Sequence, residues 1–179
     1  MTDLTGKKIA ILLTDGYEDF ELARPWEMLR AAGGSPQLIA PKHGPVHGKD
    51  GHSQTVDAQA KDVDASEYAA LVLPGGVVSA DHLRTDRHAV ELVLGFVETD
   101  RPIAVIGHGA WILIEADGVD GRTMTSYPSL RTDLTNAGAT WLDEEVVVDR
   151  GLISSRTPAD LTAFTAALLR EFAAVPQQA

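Results

Sequence analysis

The sequence predicts an α/β fold, a doubly wound and mostly parallel sheet with helices on both faces. Three short apolar runs are continuous rather than alternating, which is typical of strands buried on both faces of a parallel sheet. Each run ends at a turn that contains glycine, and helix-like stretches separate the runs along the chain. At 179 residues the chain has the length of one domain, so we expect a single unit over residues 1–179.

The first strand and helix follow from the apolar spacing of residues 8–32. Residues 8–13 form a buried run that ends at Thr14-Asp15-Gly16 and predicts a strand. The next apolar residues recur mostly every three or four positions up to Gly33-Gly34, which predicts a helix with a glycine stop. We expect Pro25 to kink this helix or to start its second half. The residues of its apolar face are Phe20, Leu22, Ala23, Trp26, Leu29 and Ala32.

The middle of the chain continues the alternation of strands and helices. Residues 36–40 predict a second strand, and the Gly-, Pro- and His-rich residues 41–53 predict a loop or a small hairpin. Residues 56–68 are a mostly polar connection. The run 69–73 predicts a buried strand that ends at a Pro-Gly-Gly turn. Residues 86–97 place their valines and leucine on one face and predict a helix.

The fourth strand leads into a turn that has the shape of a nucleophile elbow. Residues 103–106 are apolar, and the turn Gly107-His108-Gly109 then enters a helix-like stretch over residues 110–116. An elbow holds one residue in a strained conformation above a helix N-terminus, whose amides stabilise negative charge. The residue at that position is Gly107, which has no side chain.

The last third of the chain predicts a short strand, a helix, a strand pair and a final helix. The strand spans residues 124–127, the helix spans 130–137, and the strand pair is formed by 145–149 and 152–155. The final helix begins after a capping residue, a proline suited to its first position and an acid that completes a near capping box. These three residues are Thr157, Pro158 and Asp160.

Composition excludes several classes of function. Lys and Arg total 15 against 26 Asp and Glu, and a net charge of −11 repels nucleic acid. No apolar run approaches the roughly 18 residues of a membrane span, and the N-terminus lacks the pattern of a secretory signal. We therefore expect no nucleic-acid partner, no membrane partner and a cytoplasmic location. The absence of cysteine excludes disulfides, thiolate zinc sites and cysteine catalysis.

Three turns are expected to form one crevice at the carboxyl ends of the strands. They are residues 15–18, 74–76 and 107–108. In that arrangement Glu18 approaches the elbow beside His108, and the pair is a candidate to orient or activate a reacting group. The alternative is that Glu18 only stabilises a helix N-terminus through the helix dipole, and that His108 is an ordinary turn histidine.

Other candidates have plainer explanations. The Gly75 and Gly76 amides suit an oxyanion site, and their alternative is a tight turn. Ser126 lacks an evident base, so we expect a structural serine. Gly107-x-Gly109 resembles a dinucleotide fingerprint only weakly, because Ile112 occupies its third small-residue position. We expect no metal site at three loop histidines, because nearby glycines and a proline prevent a helix that would align them. They are His43, His47 and His52.

Seven short motifs occur in order along nearly the whole chain. They are residues 14–19 (TDGYED), 71–76 (LVLPGG), 107–109 (GHG), 125–128 (TSYP), 136–139 (NAGA), 143–149 (DEEVVVD) and 154–161 (SSRTPADL). Together they resemble the DJ-1/PfpI superfamily, in particular its intracellular proteases, general stress proteins and deglycase-like proteins.

The resemblance implies a flavodoxin-like three-layer sandwich that assembles with itself as a homodimer or a higher oligomer. Glu18 matches the family's acid beside a reactive cysteine, His108 matches the histidine after that cysteine, and Gly76 supplies an oxyanion amide, with His108 as the second donor. Asp81 matches an acid that protease-like members offer across a subunit interface. Gly107 occupies the position of the cysteine itself.

The glycine at this position separates three functional hypotheses. The first is a stress-associated protein whose crevice binds small carbonyl compounds or peptides without cysteine-dependent catalysis. The second is an active hydrolase or glyoxalase-like enzyme that uses Glu18, His108 and water. The third is a purely structural oligomer. None of them calls for a cofactor or a metal.

Overall fold

The structure, a computed structural model, describes residues 2–176 and is built on a central seven-stranded sheet. The strands are β1 (Lys8–Leu12), β2 (Ser35–Ala40), β3 (Pro45–His47), β4 (Ser53–Thr55), β5 (Ala58–Gln59), β6 (Ala70–Leu73), β7 (Ile103–Ile106), β8 (Thr123–Met124), β9 (Thr140–Trp141), β10 (Val146–Asp149) and β11 (Leu152–Ser155). The α-helices are α1 (Asp19–Ala31), α2 (Val77–Leu83), α3 (Arg87–Glu98), α4 (Trp111–Glu115), α5 (Arg131–Asn136) and α6 (Leu161–Ala174).

The central sheet has the strand order β10-β11-β7-β6-β1-β2-β5 and is parallel except at one edge. Only β10 runs antiparallel to its neighbour, because the short turn at Arg150-Gly151 returns the chain directly from β10 to β11. Two small sheets flank the centre, the antiparallel pair β3–β4 and the parallel pair β8–β9. This is the mostly parallel architecture that the continuous apolar runs predicted.

A hydrophobic core lies on each face of the sheet, so the strands are buried on both sides. In β1, Ala10 and Leu12 belong to one core, whereas Ile9 and Ile11 belong to the other. The first core includes apolar residues of α3, α4 and α5, and the second includes apolar residues of α1 and α6. The three-layer sandwich with helices on both faces is therefore confirmed. Within residues 2–176 no helix is long and apolar enough to cross a membrane.

Several local predictions differ from the structure. Helix α2 was not predicted at all, and Phe20, assigned to the apolar face of the first helix, is 67% exposed. Thr157 makes no side-chain capping hydrogen bond, so the capping prediction was wrong. Asp160 instead accepts two hydrogen bonds from the Arg156 guanidinium, at 2.9 and 3.1 Å. An acid at the start of a helix can accept hydrogen bonds from a neighbouring arginine instead of from a backbone amide.

Candidate functional site

Three turns meet at the carboxyl ends of the central strands, as the sequence predicted. The turns that follow β1, β6 and β7 enclose a pocket of about 380 Å³. Those strands are adjacent in the sheet, which brings their ends to one edge. The pocket is lined by Gly16, Glu18, Glu21, Lys49, Gly76, Val77, Val78, Gly107, His108, Tyr127 and Pro158.

Gly107 has the backbone conformation of an elbow residue. Its φ of +62° lies in the left-handed region, and its carbonyl accepts a hydrogen bond from the Tyr127 amide at 3.2 Å. A Cβ built on Gly107 would lie 3.3 Å from both carboxyl oxygens of Glu21. A side chain at this position would therefore face the Glu21 carboxyl group, and glycine leaves that space to the pocket.

Glu21 is the acid that faces the elbow. It lies in the first turn of α1, is almost fully buried, and accepts a 2.6 Å hydrogen bond from the Gly75 amide through Oε2. Burial, helped by the nearby charge of Glu18, raises its pKa to about 8 against the lowering effects of the Gly75 hydrogen bond and the Lys49 charge. At neutral pH this carboxyl group is therefore mostly protonated.

The sequence predicted that Glu18 is the acid beside the elbow. The structure places Glu18 at the pocket wall instead. Its carboxylate forms an ion pair with the Lys49 ammonium at 2.8 Å, and its side chain is 19% exposed. Glu18 immediately precedes α1, whereas Glu21 is one turn further on. Sequence reasoning missed Glu21, although Glu21, Pro25 and Leu29 share the buried side of the helix at four-residue intervals.

Three backbone amides are candidates to hold a negatively charged oxygen, those of Gly75, Gly76 and His108. The Gly75 amide is occupied by Glu21. The Gly76 amide donates to no acceptor within residues 2–176 and lies in the pocket wall, as does His108. The His108 amide nitrogen lies 3.1 Å from the point that a Cβ on Gly75 would occupy, so it belongs to the same short segment of wall.

The His108 ring forms part of an aromatic wall. It stacks on Tyr127 with ring centroids 4.6 Å apart and meets Trp111 edge-on at 5.3 Å. Nε2 lies 3.3 Å from the hydroxyl oxygen of Ser129. Burial lowers the pKa of the imidazole, partly opposed by the charge of Glu18, so the ring is mostly neutral at pH 7.

The remaining sequence candidates lie outside the pocket lining. Asp81 is on the exposed side of α2. Ser126 accepts a hydrogen bond from the Trp141 indole at 2.9 Å and donates to the Tyr127 carbonyl, which is a structural role. His52 Nδ1 pairs with the Tyr17 hydroxyl at 2.7 Å. Within the described part of the chain no group of side chains is arranged to hold a metal ion.

Sequence comparison assigns this arrangement to a family. The model of the DJ-1/PfpI family matches residues 7–171, which is most of the chain. The chain belongs to the DJ-1/PfpI family. The "Putative cysteine protease YraA" of Bacillus subtilis is 45% identical over 159 residues, covering 88% of this chain and 94% of the relative. "General stress protein 18" of the same organism is 43% identical, covering 89% and 94%. "Protein/nucleic acid deglycase 2" of Escherichia coli is 43% identical, covering 92% and 96%.

Solved structures support the same assignment. A two-domain protein of Anabaena variabilis with DJ-1/ThiJ/PfpI-like and ferritin-like domains superposes with a TM-score of 0.91 at 36% identity, over 95% of this chain and 50% of that one. DJ-1beta of Drosophila melanogaster superposes with a TM-score of 0.87 at 26% identity, over 94% of this chain and 91% of that one. The flavodoxin-like fold expected from the motifs is confirmed.

Replacing Gly107 with cysteine is expected to lower the melting temperature by several degrees. A non-glycine residue at a φ of +62° stores about 1 to 3 kcal/mol of strain, and its Cβ would press on the Glu21 carboxyl group. Thermal unfolding followed by circular dichroism measures the change. The melting temperature of the Gly107→Ala variant, which adds a Cβ without a thiol, should fall by a similar amount. An unchanged or higher melting temperature in both variants would contradict the strain argument.

Proposed function

We propose that the pocket binds small carbonyl compounds without forming a covalent bond to the protein. One observation carries the proposal: glycine occupies the elbow, directly in front of the buried Glu21 carboxyl group. The chain contains no cysteine, whereas one relative is named as a putative cysteine protease and others as deglycases. Binding without a thiol nucleophile is the function that these residues support best.

The lining suits a polarised carbonyl group. The oxygen would accept hydrogen bonds from the amides of Gly76 and His108, which are the candidate donors for negative charge. The protonated carboxyl group of Glu21, which lies beside Gly75 in the same lining, is a further donor. Val77 and Val78, each about half exposed, provide apolar contact for the remainder of the ligand.

A second candidate function is hydrolysis or glyoxalase-like turnover that uses an acid, His108 and water. The pKa of Glu21, near 8, favours it, because a group that titrates close to neutral pH can both accept and donate protons. Ionised Glu21 would take a proton from water while the water oxygen attacks the carbonyl carbon. Glu18, which sequence analysis assigned to this role, would act on Glu21 only through its charge.

The decisive experiment compares the native chain with its Gly107→Cys and Gly107→Ala variants in assays of methylglyoxal consumption and peptide hydrolysis. We expect turnover only in the cysteine variant, because a thiolate beside Glu21 would restore a nucleophile to an otherwise complete site. Turnover by the native chain that Glu21→Gln abolishes would support the second function instead. If no chain turns over and the native chain binds no carbonyl compound in calorimetry, the proposed function is wrong.

A further inference from the structure

We propose that Lys49 is the anion-binding residue of the pocket and selects carbonyl compounds that carry a carboxylate next to the carbonyl group. The inference rests on the proposed binding function and adds the chemical class of the ligand. Lys49 comes from the hairpin β3–β4, far along the chain from the three turns that form the elbow site, yet its side chain lines the same pocket.

The hairpin turn that carries Lys49 is held firmly against the start of α1. The Lys49 amide donates to the Tyr17 carbonyl at 2.9 Å. The buried carboxylate of Asp19 accepts hydrogen bonds from the amides of Asp50 at 3.0 Å and His52 at 2.7 Å. These bonds fix the backbone on both sides of Lys49, so the hairpin holds this residue at the edge of the pocket, where its ammonium group pairs with Glu18.

The ammonium group has donors to spare. It carries three N–H donors, and its one ion pair within residues 2–176 is with Glu18, at 2.8 Å. The side chain is 50% exposed, so a ligand can reach the other donors from the pocket. A ligand carboxylate would share the ammonium with Glu18 and displace water rather than break the ion pair.

The rest of the lining presents no unpaired negative charge that would repel a ligand carboxylate. Glu18 is neutralised by Lys49, Glu21 is mostly protonated at neutral pH, and His108 is mostly neutral. Apart from the Glu18 carboxylate, which is paired with Lys49, the polar groups of the lining are therefore mainly donors, namely two amides, a carboxyl group and an ammonium group. A donor-rich lining favours a ligand rich in acceptors, and a 2-oxo carboxylate presents three acceptor oxygens on adjacent carbons.

The experiment measures binding of pyruvate and of its neutral analogue methyl pyruvate by isothermal titration calorimetry at pH 7. We expect the native chain to bind pyruvate at least tenfold more tightly than the ester. Lys49→Met should remove that preference and weaken pyruvate binding about 10- to 100-fold, the usual range for losing a hydrogen-bonded charge, with little effect on the ester. Glu18→Gln, which frees the ammonium, should strengthen pyruvate binding.

Lys61→Met is the matched control, because Lys61 is exposed and lies outside this pocket while its loss makes the same change in net charge. A loss of pyruvate affinity as large in Lys61→Met as in Lys49→Met would overturn the role of Lys49. Equal binding of pyruvate and the ester by the native chain would also overturn it, while leaving the proposed function standing. If the native chain binds neither compound but does bind methylglyoxal, the role of Lys49 alone fails, whereas both proposals fail if it binds none of the three and no chain turns over.

Discussion

Gly76→Ala is expected to lower the free energy of unfolding by about 4 kcal/mol or more. Gly76 has a φ of +103°, and an added Cβ would overlap the Gly16 carbonyl oxygen and lie 2.7 Å from Tyr17 Cα and 2.8 Å from the Glu18 nitrogen. These are backbone atoms, so no side chain can rotate to relieve the contact. Backbone strain and overpacking each cost about 1 to 3 kcal/mol, and here they add. Urea denaturation measures the change.

Gly44→Ala is the control for backbone conformation alone. Gly44 also has a positive φ, +84°, but nothing lies within 4 Å of an added Cβ. We expect a loss of about 1 kcal/mol, from the left-handed conformation without any steric overlap. If Gly76→Ala proved no more destabilising than Gly44→Ala, the turns after β6 and β1 would not be packed too closely to admit a Cβ.

Glu21→Gln is expected to make the protein more stable than the native chain at alkaline pH. Folding raises the pKa of Glu21 from 4.5 to about 8, so the folded state holds a proton that the unfolded state releases. The native chain therefore loses stability as pH rises from about 4.5 to 8, by up to roughly 4 kcal/mol at 1.36 kcal/mol per pKa unit. Glutamine is neutral at every pH in this range, so the Glu21→Gln variant does not lose this stability.

Urea denaturation of both chains between pH 5 and pH 8.5 tests this linkage. The two stabilities should agree within about 1 kcal/mol at pH 5, because both side chains are then uncharged, and should diverge as pH rises. Glu27→Gln, at a residue whose side chain is 70% exposed, should show no such divergence. A constant difference between the Glu21→Gln variant and the native chain across this range would mean that Glu21 is ionised in the folded protein even at low pH.

The buried strands and long helices were predictable because their signals are local. The continuous apolar runs matched β1, β6 and β7 to within one residue, and the glycine stop at Gly33-Gly34 follows the end of α1. Helix α2 was missed, since it has only seven residues and begins with Val77 and Val78, which face solvent. Spacing rules assume that apolar residues are buried, and Phe20 breaks that assumption in the same region.

The location of the site was predictable, but the identity of its acid was not. Strand ends alone brought the turns with Gly76, Gly107 and His108 together. Choosing between Glu18 and Glu21 requires knowing at which residue α1 begins and how it is placed against the sheet, because Glu18 is only the N-cap residue of the helix and Glu21 lies about one turn further on. Lys49 was also beyond sequence reasoning, because only tertiary hydrogen bonds bring the hairpin to the pocket.

The position of β1 in the sheet constrains the order in which the strands can pair during folding. β1 is the first element of the chain, yet it lies inside the sheet between β2 and β6, and β7 pairs on the far side of β6. Parallel pairing of distant segments requires large loops to close before their contacts form, which makes folding slow compared with that of a helical bundle. A nascent chain on the ribosome therefore has no pocket until the elbow after β7 has emerged, and β1 keeps one edge unpaired until β6 has been synthesised.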